Sequence, residues 1–275
     1  MNDSQNARTS EVRLHTDRSR SVPTGPLDSF VRWQFSLSRA FDRLLDERYR
    51  IDGCKDFVSN FVPRHARCRA EVWDVGGGRT PLSAALKDGM EWTTVGLDID
   101  LSELQEAPSG TYDRIVPADI TRYRGEGSAD MVICQSLLEH VENVEQALEG
   151  MATILKPGGL ALLFVPSRFA VYTFLGRLCP EKLKRILLRR LVHRDVPFYP
   201  FPAYYDRCTP GEFAEMARRT GFELDQQQFY YASEYFMFLT PLHIAWRVWQ
   251  IAARQLLKDQ AAETFALCLR KRSDS

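Results

Sequence analysis

The run Ala70-Glu71-Val72-Trp73-Asp74-Val75-Gly76-Gly77-Gly78-Arg79 constrains this chain more than any other stretch. It reads as a short buried strand that ends in an acid and then meets three consecutive glycines. Glycine has no Cβ and accepts positive φ, so the backbone after this strand can approach a ligand closely. The acid ahead of the turn adds a hydrogen-bond acceptor, which suits a nucleoside or amino-acid ligand better than a simple phosphate. From Ala70 onward, strand-like and helix-like segments alternate. Strands are expected at Glu71–Val75, Thr93–Leu97, Arg114–Pro117, Asp130–Cys134 and Leu160–Val165, and helices at Pro81–Asp88 and Val144–Leu155. The sequence Leu155-Lys156-Pro157-Gly158-Gly159 stops the latter helix and turns the chain into the next strand. Such alternation implies a mostly parallel sheet with helices on both faces. Ligands of such sheets sit at the carboxyl ends of the strands, near the switch in strand order.

After Pro166 the alternation is interrupted and then resumes. Thr209-Pro210-Gly211-Glu212 places Thr at N-cap, Pro at N1 and Glu at N3 of a helix that ends near Thr220-Gly221. Phe222–Tyr231 follows as a strand, Thr240–Lys258 as a helix and Thr264–Leu269 as a last strand. At the other end, residues 1–27 are polar and mixed in charge and are expected to be a disordered tail. Residues 28–69 carry apolar side chains at mostly helical intervals (Phe30, Trp33, Leu37, Phe41) and a second helical segment from Lys55 to Val62. These read as N-terminal helices that cover the domain following them. Residues 70–275 then form that domain, with helical insertions at about 167–208 and 233–260.

Composition narrows the function classes. Lys+Arg and Asp+Glu both number 36, so nothing global supplies the basic face that nucleic acid demands. None of the six cysteines forms a C-x-x-C pair, no metal set emerges, and buried free thiols in a reducing cytosol are expected. The N-terminus lacks the apolar core of a signal peptide, and no run approaches the roughly 18 apolar residues that span a bilayer. A cytoplasmic protein is the expectation.

Acids stand at the ends of the first three strands. Asp74 precedes the glycines, Asp98 ends Val95-Gly96-Leu97-Asp98-Ile99, and Asp119 ends Pro117-Ala118-Asp119-Ile120. An acid at the end of the second strand can accept both hydroxyls of a ribose. One at the end of the third can accept from an exocyclic adenine amine. Together they describe a pocket for an adenosine with a cationic tail.

In this order the segments Asp74-Val75-Gly76-Gly77-Gly78, Gly96-Leu97-Asp98-Ile99, Ala118-Asp119-Ile120, Asp130 to Val141 and Leu155-Lys156-Pro157-Gly158-Gly159-Leu160 resemble the class I S-adenosylmethionine-dependent methyltransferases. The nearest likeness is to the type 11 methyltransferase domain, whose members mostly modify small molecules and lipids. It covers roughly Glu71 to Pro166. The resemblance implies an α/β fold with a Rossmann-like seven-stranded, mostly parallel sheet, a final antiparallel strand and helices on both faces. It implies S-adenosylmethionine as cofactor, its methionine part held by Asp74 and by the backbone of Gly76, Gly77 and Gly78. Asp98 would bind the ribose with Ile99 packed on the adenine, and Asp119 and Ile120 would meet the adenine. Gln135 and Ser136 would line the methyl-donor end. Many relatives have a further glycine where Thr80 stands, which implies a stiffer loop tip here.

Methyl transfer from a sulfonium needs donor and acceptor positioned together, and a general base only where the acceptor loses a proton. His140 is the candidate base, against its reading as a helix residue that packs on the sheet or caps a turn. A small, hydrophobic or lipid-linked acceptor is expected, with oxygen favoured over nitrogen or carbon. The rival readings are an NAD(P)-dependent oxidoreductase and a non-catalytic methyltransferase-like partner subunit. The first needs a third glycine where Pro81 stands, and Asp74 would repel a pyrophosphate. Between Glu181 and Arg194 six Lys/Arg face one Glu and interleave with leucines, a basic amphipathic stretch. In the later helix Arg247, Gln250, Arg254 and Lys258 share one face, and Leu242, Trp246, Trp249 and Leu256 the other. The leading expectation is that both stretches cover the pocket, apolar faces inward and basic faces solvated. Contact with the inner face of a membrane and a homodimer interface are the alternatives.

Overall fold

The computed structural model describes residues 26–171, 173 and 202–273. The strands are β1 (Arg69–Val75), β2 (Glu91–Asp98), β3 (Arg114–Pro117), β4 (Ala129–Gln135), β5 (Leu155–Pro166), β6 (Phe222–Tyr230) and β7 (Thr264–Lys271). They form one sheet in the order β3-β2-β1-β4-β5-β7-β6. β1 to β5 pair in parallel, and β7 lies antiparallel between β5 and β6. The expected sheet and its last antiparallel strand are therefore present. The helices are α1 (Pro26–Asp42), α2 (Gly53–Asp56), α3 (Val62–His65), α4 (Leu82–Leu86), α5 (Leu101–Gln105), α6 (Val144–Ile154), α7 (Pro210–Arg219) and α8 (Thr240–Leu257). A π turn at Phe57–Phe61 joins α2 to α3 without a break.

The period of two in the strands divides the core. Trp73 and Val75 of β1, Ala161, Leu163 and Val165 of β5, and Phe265, Leu267 and Leu269 of β7 pack on one face with α6 and α7. Val72, Leu160, Leu162, Phe164, Ala266 and Cys268 point to the other, against Phe57, Phe61, Val62 and Leu82. Both faces being covered explains why the strands read as nearly continuous apolar runs. The start of α7 is as its sequence predicts: Thr209 Oγ1 accepts from Glu212 N, and the Glu212 carboxylate accepts from the same hydroxyl. Among the described residues the cysteines are free thiols, Cys134, Cys208 and Cys268 buried but Cys54 and Cys68 exposed. The basic stretch 181–194 and Cys179 lie outside the described residues, as does the tail up to residue 25.

The later helix departs from expectation. Of the expected apolar face Trp246 is buried, but Leu242, Trp249 and Leu256 face outward with Val248, while Arg247, Gln250 and His243 are buried. The cause is electrostatic. Asp42 of α1 accepts from Arg247 Nε at 2.9 Å and Nη2 at 2.8 Å and contacts His243 Nε2 at 2.8 Å. Arg247 Nη1 donates to the Tyr231 carbonyl and to Gln250 Oε1. Glu263, just before β7, accepts from Trp246 Nε1 and Gln250 Nε2. Two buried carboxylates thus draw the polar side of α8 inward, because a buried charge is tolerated only when paired and hydrogen-bonded.

Candidate active site

The carboxyl ends of β1 and β4 lie side by side where the strand order switches, and a cavity of about 1020 Å³ opens there. All eleven residues singled out from the sequence line it: Asp74, Gly76, Gly77, Gly78, Asp98, Ile99, Asp119, Ile120, Gln135, Ser136 and His140. Four segments separated along the chain meet at one place.

The glycine turn is built for close approach. Gly76 (φ 77°) and Gly78 (φ 49°) adopt the left-handed conformation that a side chain would strain. Gly77 has another reason: a Cβ there would stand 2.5 Å from the Tyr112 hydroxyl and 2.6 Å from Asp74 Oδ1. Asp74 is buried, and its Oδ2 accepts from Ser83 N at 2.8 Å, tying the strand end to α4. Burial pushes its carboxyl above the ordinary range, against the opposing pull of the Ser83 bond. Arg79 is clamped by Glu103 of α5 (Nε to Oε2, 2.7 Å) and by Glu106, so the loop after the glycines is held from below.

Asp98 accepts from Asp100 N at 3.0 Å. Burial, with the Glu103 and Asp100 charges close by, raises its carboxyl above the usual range. Asp119 Oδ1 accepts from Thr121 N and its hydroxyl, an Asx turn that fixes the carboxylate at the rim. Ile120 is buried beneath it, whereas Ile99 is exposed on the opposite wall. Acids outnumber arginines around the cavity: Asp74, Asp98, Glu103, Asp119 and Glu142 against Arg79 and Arg122. Such a field favours a cation and repels a pyrophosphate.

At the far end, Gln135 Nε2 contacts Cys54 Sγ at 3.0 Å, and Ser136 turns back with φ 53° while its N–H donates to the Phe164 carbonyl. His140 Nδ1 lies 3.1 Å from the Pro202 carbonyl. A carbonyl only accepts, so Nδ1 carries the proton and Nε2 keeps its lone pair in the neutral ring. Nε2 lies 3.9 Å from Glu139 Oε1. Glu139 is buried, and burial pushes its carboxyl up to about 8.

That shift has a measurable sign. Between the ordinary glutamate value and about 8, the folded chain holds a proton that the unfolded chain has released, so stability falls as pH rises through this window. Glu263, pushed up to about 7 by burial, adds to the same slope. The melting temperature is expected to decline from about pH 5 to about pH 8, and Glu139→Gln to flatten the decline. An unchanged slope in that variant, read by calorimetry across this range, contradicts the assignment.

Sequence reasoning missed Tyr112. Its ring lies so close to Gly96 that a Cβ there would stand 2.7 Å from it, and its hydroxyl reaches the Gly78 carbonyl at 3.4 Å. The signal was Gly96, since a glycine inside a strand marks the close approach of another group. Tyr112→Ala is expected to weaken binding of S-adenosylmethionine about tenfold by leaving a gap under the glycine turn. Tyr112→Phe should stay within about twofold, because the bond lost is long. Titration calorimetry separates the two, and equal losses would show that the hydroxyl rather than the ring matters.

The family described as "methyltransferase domain" matches residues 46–227. Curated relatives named ubiquinone biosynthesis O-methyltransferase include that of Cupriavidus pinatubonensis, 28% identical over 161 residues, which are 56% of this chain and 60% of that protein. The Burkholderia thailandensis protein is 32% identical over 173 residues, covering 60% of this chain and 70% of it. The chain therefore spans under two thirds of the length of the first of these. A putative methyltransferase of Haloferax volcanii, solved with its Trm112 activator, has a TM-score of 0.53 at 15% identity, covering 89% of this chain and 99% of that one. The [4+2]-cyclase SpnF also has a TM-score of 0.53, at 13% identity, covering 82% of this chain and 87% of that one. At such identities the likeness speaks for the fold, and the cyclase shows that this fold serves more than one reaction.

Proposed function

This chain belongs to the methyltransferase domain family, and from that premise we propose that it moves a methyl group from S-adenosylmethionine to a hydroxyl oxygen of a small hydrophobic molecule. One observation carries the reading: the acids and glycines of four separate segments converge on one acid-lined cavity at the switch of the sheet. The residues fit the cofactor. A Cβ-free cradle at Gly77 lies beside Asp74, and Asp98 stands at the end of the second strand with a carboxylate bonded to the backbone at Asp100 N. The cofactor, when bound, supplies a methyl group on a positively charged sulfur. Asp98 would accept the ribose hydroxyls, Asp119 the adenine amine, and the acidic lining would hold the cationic end while discouraging pyrophosphate ligands. Gln135, fixed by Cys54, and Ser136 would bound the space beside the methyl. His140 Nε2, with its lone pair free of the Pro202 carbonyl, would take the hydroxyl proton as the oxygen gains the methyl.

The acceptor class follows the names of the curated relatives, which place O-methylation in ubiquinone biosynthesis. The test pairs titration calorimetry against S-adenosylmethionine and NAD with a labelled-methyl assay on quinone precursors and extracted lipids. Binding of S-adenosylmethionine with methyl transfer to an oxygen is the expected outcome. Binding of NAD alone would sink the reading, and cofactor binding without transfer to any acceptor would favour a partner subunit.

A further inference from the structure

We infer that the outer face of the α1–α8 pair docks on the surface of an anionic lipid bilayer. The inference goes beyond methyl transfer and stands on the inverted build of α8. Between Pro241 and Leu257 the only charged side chains are Arg247 and Arg254. Arg247 is 1% exposed against Asp42, and Arg254 lies over the Tyr231 ring. Leu242, Val248, Trp249 and Leu256 face outward, with Trp249 60% and Leu256 84% exposed. An uncharged apolar stripe therefore runs about 21 Å along the helix. α1 packs beside α8 through Ser38 and Gln34, which bond to Thr240, and it also exposes Phe30, Trp33 and Leu37. Large apolar side chains exposed together along paired helices mark an interaction site.

Charge selects the occupant. Arg32, Arg39 and Arg43 are exposed on α1 or just past it, and Arg39 also reaches Glu234 at 3.5 Å. Asp42, at the end of that helix, is turned inward onto Arg247 and does not offset them at the surface, which leaves Asp28 as the helix's other acid against the three arginines. A two-fold partner would present the same arginine-edged patch to itself, so like charges would meet. Anionic headgroups complement those arginines, and the two outward tryptophans suit the interface between headgroups and acyl chains. No described helix is long and apolar enough to cross a membrane, so the contact lies on the surface. β6, the strand that precedes α8, ends at the same end of the sheet as the cavity. Tyr230, which leads into α8, pairs with Thr264, and Thr264 pairs with Pro166 at the carboxyl end of β5, the end of the sheet that carries the cavity.

The full chain is expected to float with vesicles containing phosphatidylglycerol, and less with pure phosphatidylcholine. Trp249→Gln combined with Leu256→Gln should cut the bound fraction at least about tenfold. Both residues are exposed, so the affinity for S-adenosylmethionine should stay unchanged and report an intact fold. A wild-type chain that remains in the soluble fraction with both vesicle types overturns the inference, as does a double variant that floats equally well. A chain that sediments as a dimer, loses the dimer in the double variant and binds no vesicle assigns the face to a second copy instead. A failure of S-adenosylmethionine binding bears only on the proposed function, since flotation does not depend on it.

Discussion

Asp98→Ala is expected to lower the affinity for S-adenosylmethionine about 100-fold, with no loss of thermal stability. Two charge-assisted hydrogen bonds from ribose hydroxyls are at stake, and each is worth roughly 1.5–3 kcal/mol. The folded protein gains little from this carboxylate. Its bonding is to backbone, at Asp100 N, and burial beside Glu103 and Asp100 raises its carboxyl above the usual range. A group kept ionised against its surroundings destabilises the fold slightly, so its removal should leave the melting temperature equal or higher. The pairing of lost affinity with retained stability is the informative part. Full cofactor affinity in the variant would move the ribose site elsewhere, and a marked drop in melting temperature would make Asp98 a structural residue.

The second large effect is on stability. Asp42→Ala should cost about 3–5 kcal/mol, because it strands the Arg247 guanidinium in the interior. Burial alone would raise the Asp42 carboxyl, but the bonds from His243 and Arg247 more than offset it and hold the group below its ordinary value. The loss should lower the melting temperature by roughly 10 °C. Asp42→Leu with Arg247→Met removes both charges and should recover much of it, since a buried pair replaced by apolar groups of similar volume is often near neutral. A double variant as unstable as Asp42→Ala would show that the hydrogen bonds of Arg247 to Tyr231 and Gln250 matter more than the ion pair.

These two carboxylates also mark what the sequence could and could not reveal. The place of Asp98 in the cavity was legible because an acid closing a strand-like run falls at the carboxyl end of the sheet. The sheet was legible for a similar reason: β1, β4 and β5 are covered on both faces, so their apolar runs stand out. The π turn between α2 and α3 and the short α5 left no comparable trace in the periodicity. The orientation of α8 was not legible. Helical spacing divides Arg247, Gln250, Arg254 and Lys258 from Leu242, Trp246, Trp249 and Leu256, but it does not say which side faces inward. That depends on Asp42, 205 residues earlier, and on Glu263, beyond the helix end. Arginine usually faces solvent, and here two buried acids reverse the rule. Tyr112 was hidden likewise, since the residue it covers lies on the neighbouring strand, at Gly96.

The place of β7 has a consequence for how the chain comes to be made. Its residues are the last of the sheet to leave the ribosome, yet they lie between β5 and β6. Until Thr264–Lys271 emerges, β5 presents an open edge over Leu160–Pro166, the stretch it pairs with β7. An apolar strand with unpaired backbone is a template for pairing with other chains. β6 waits with it, because its recorded strand pairing is with β7. The first five strands can assemble early, whereas the other flank closes in a single late step. Synthesis of this protein therefore includes an interval in which the chain has emerged through β6 and still exposes the apolar edge of β5.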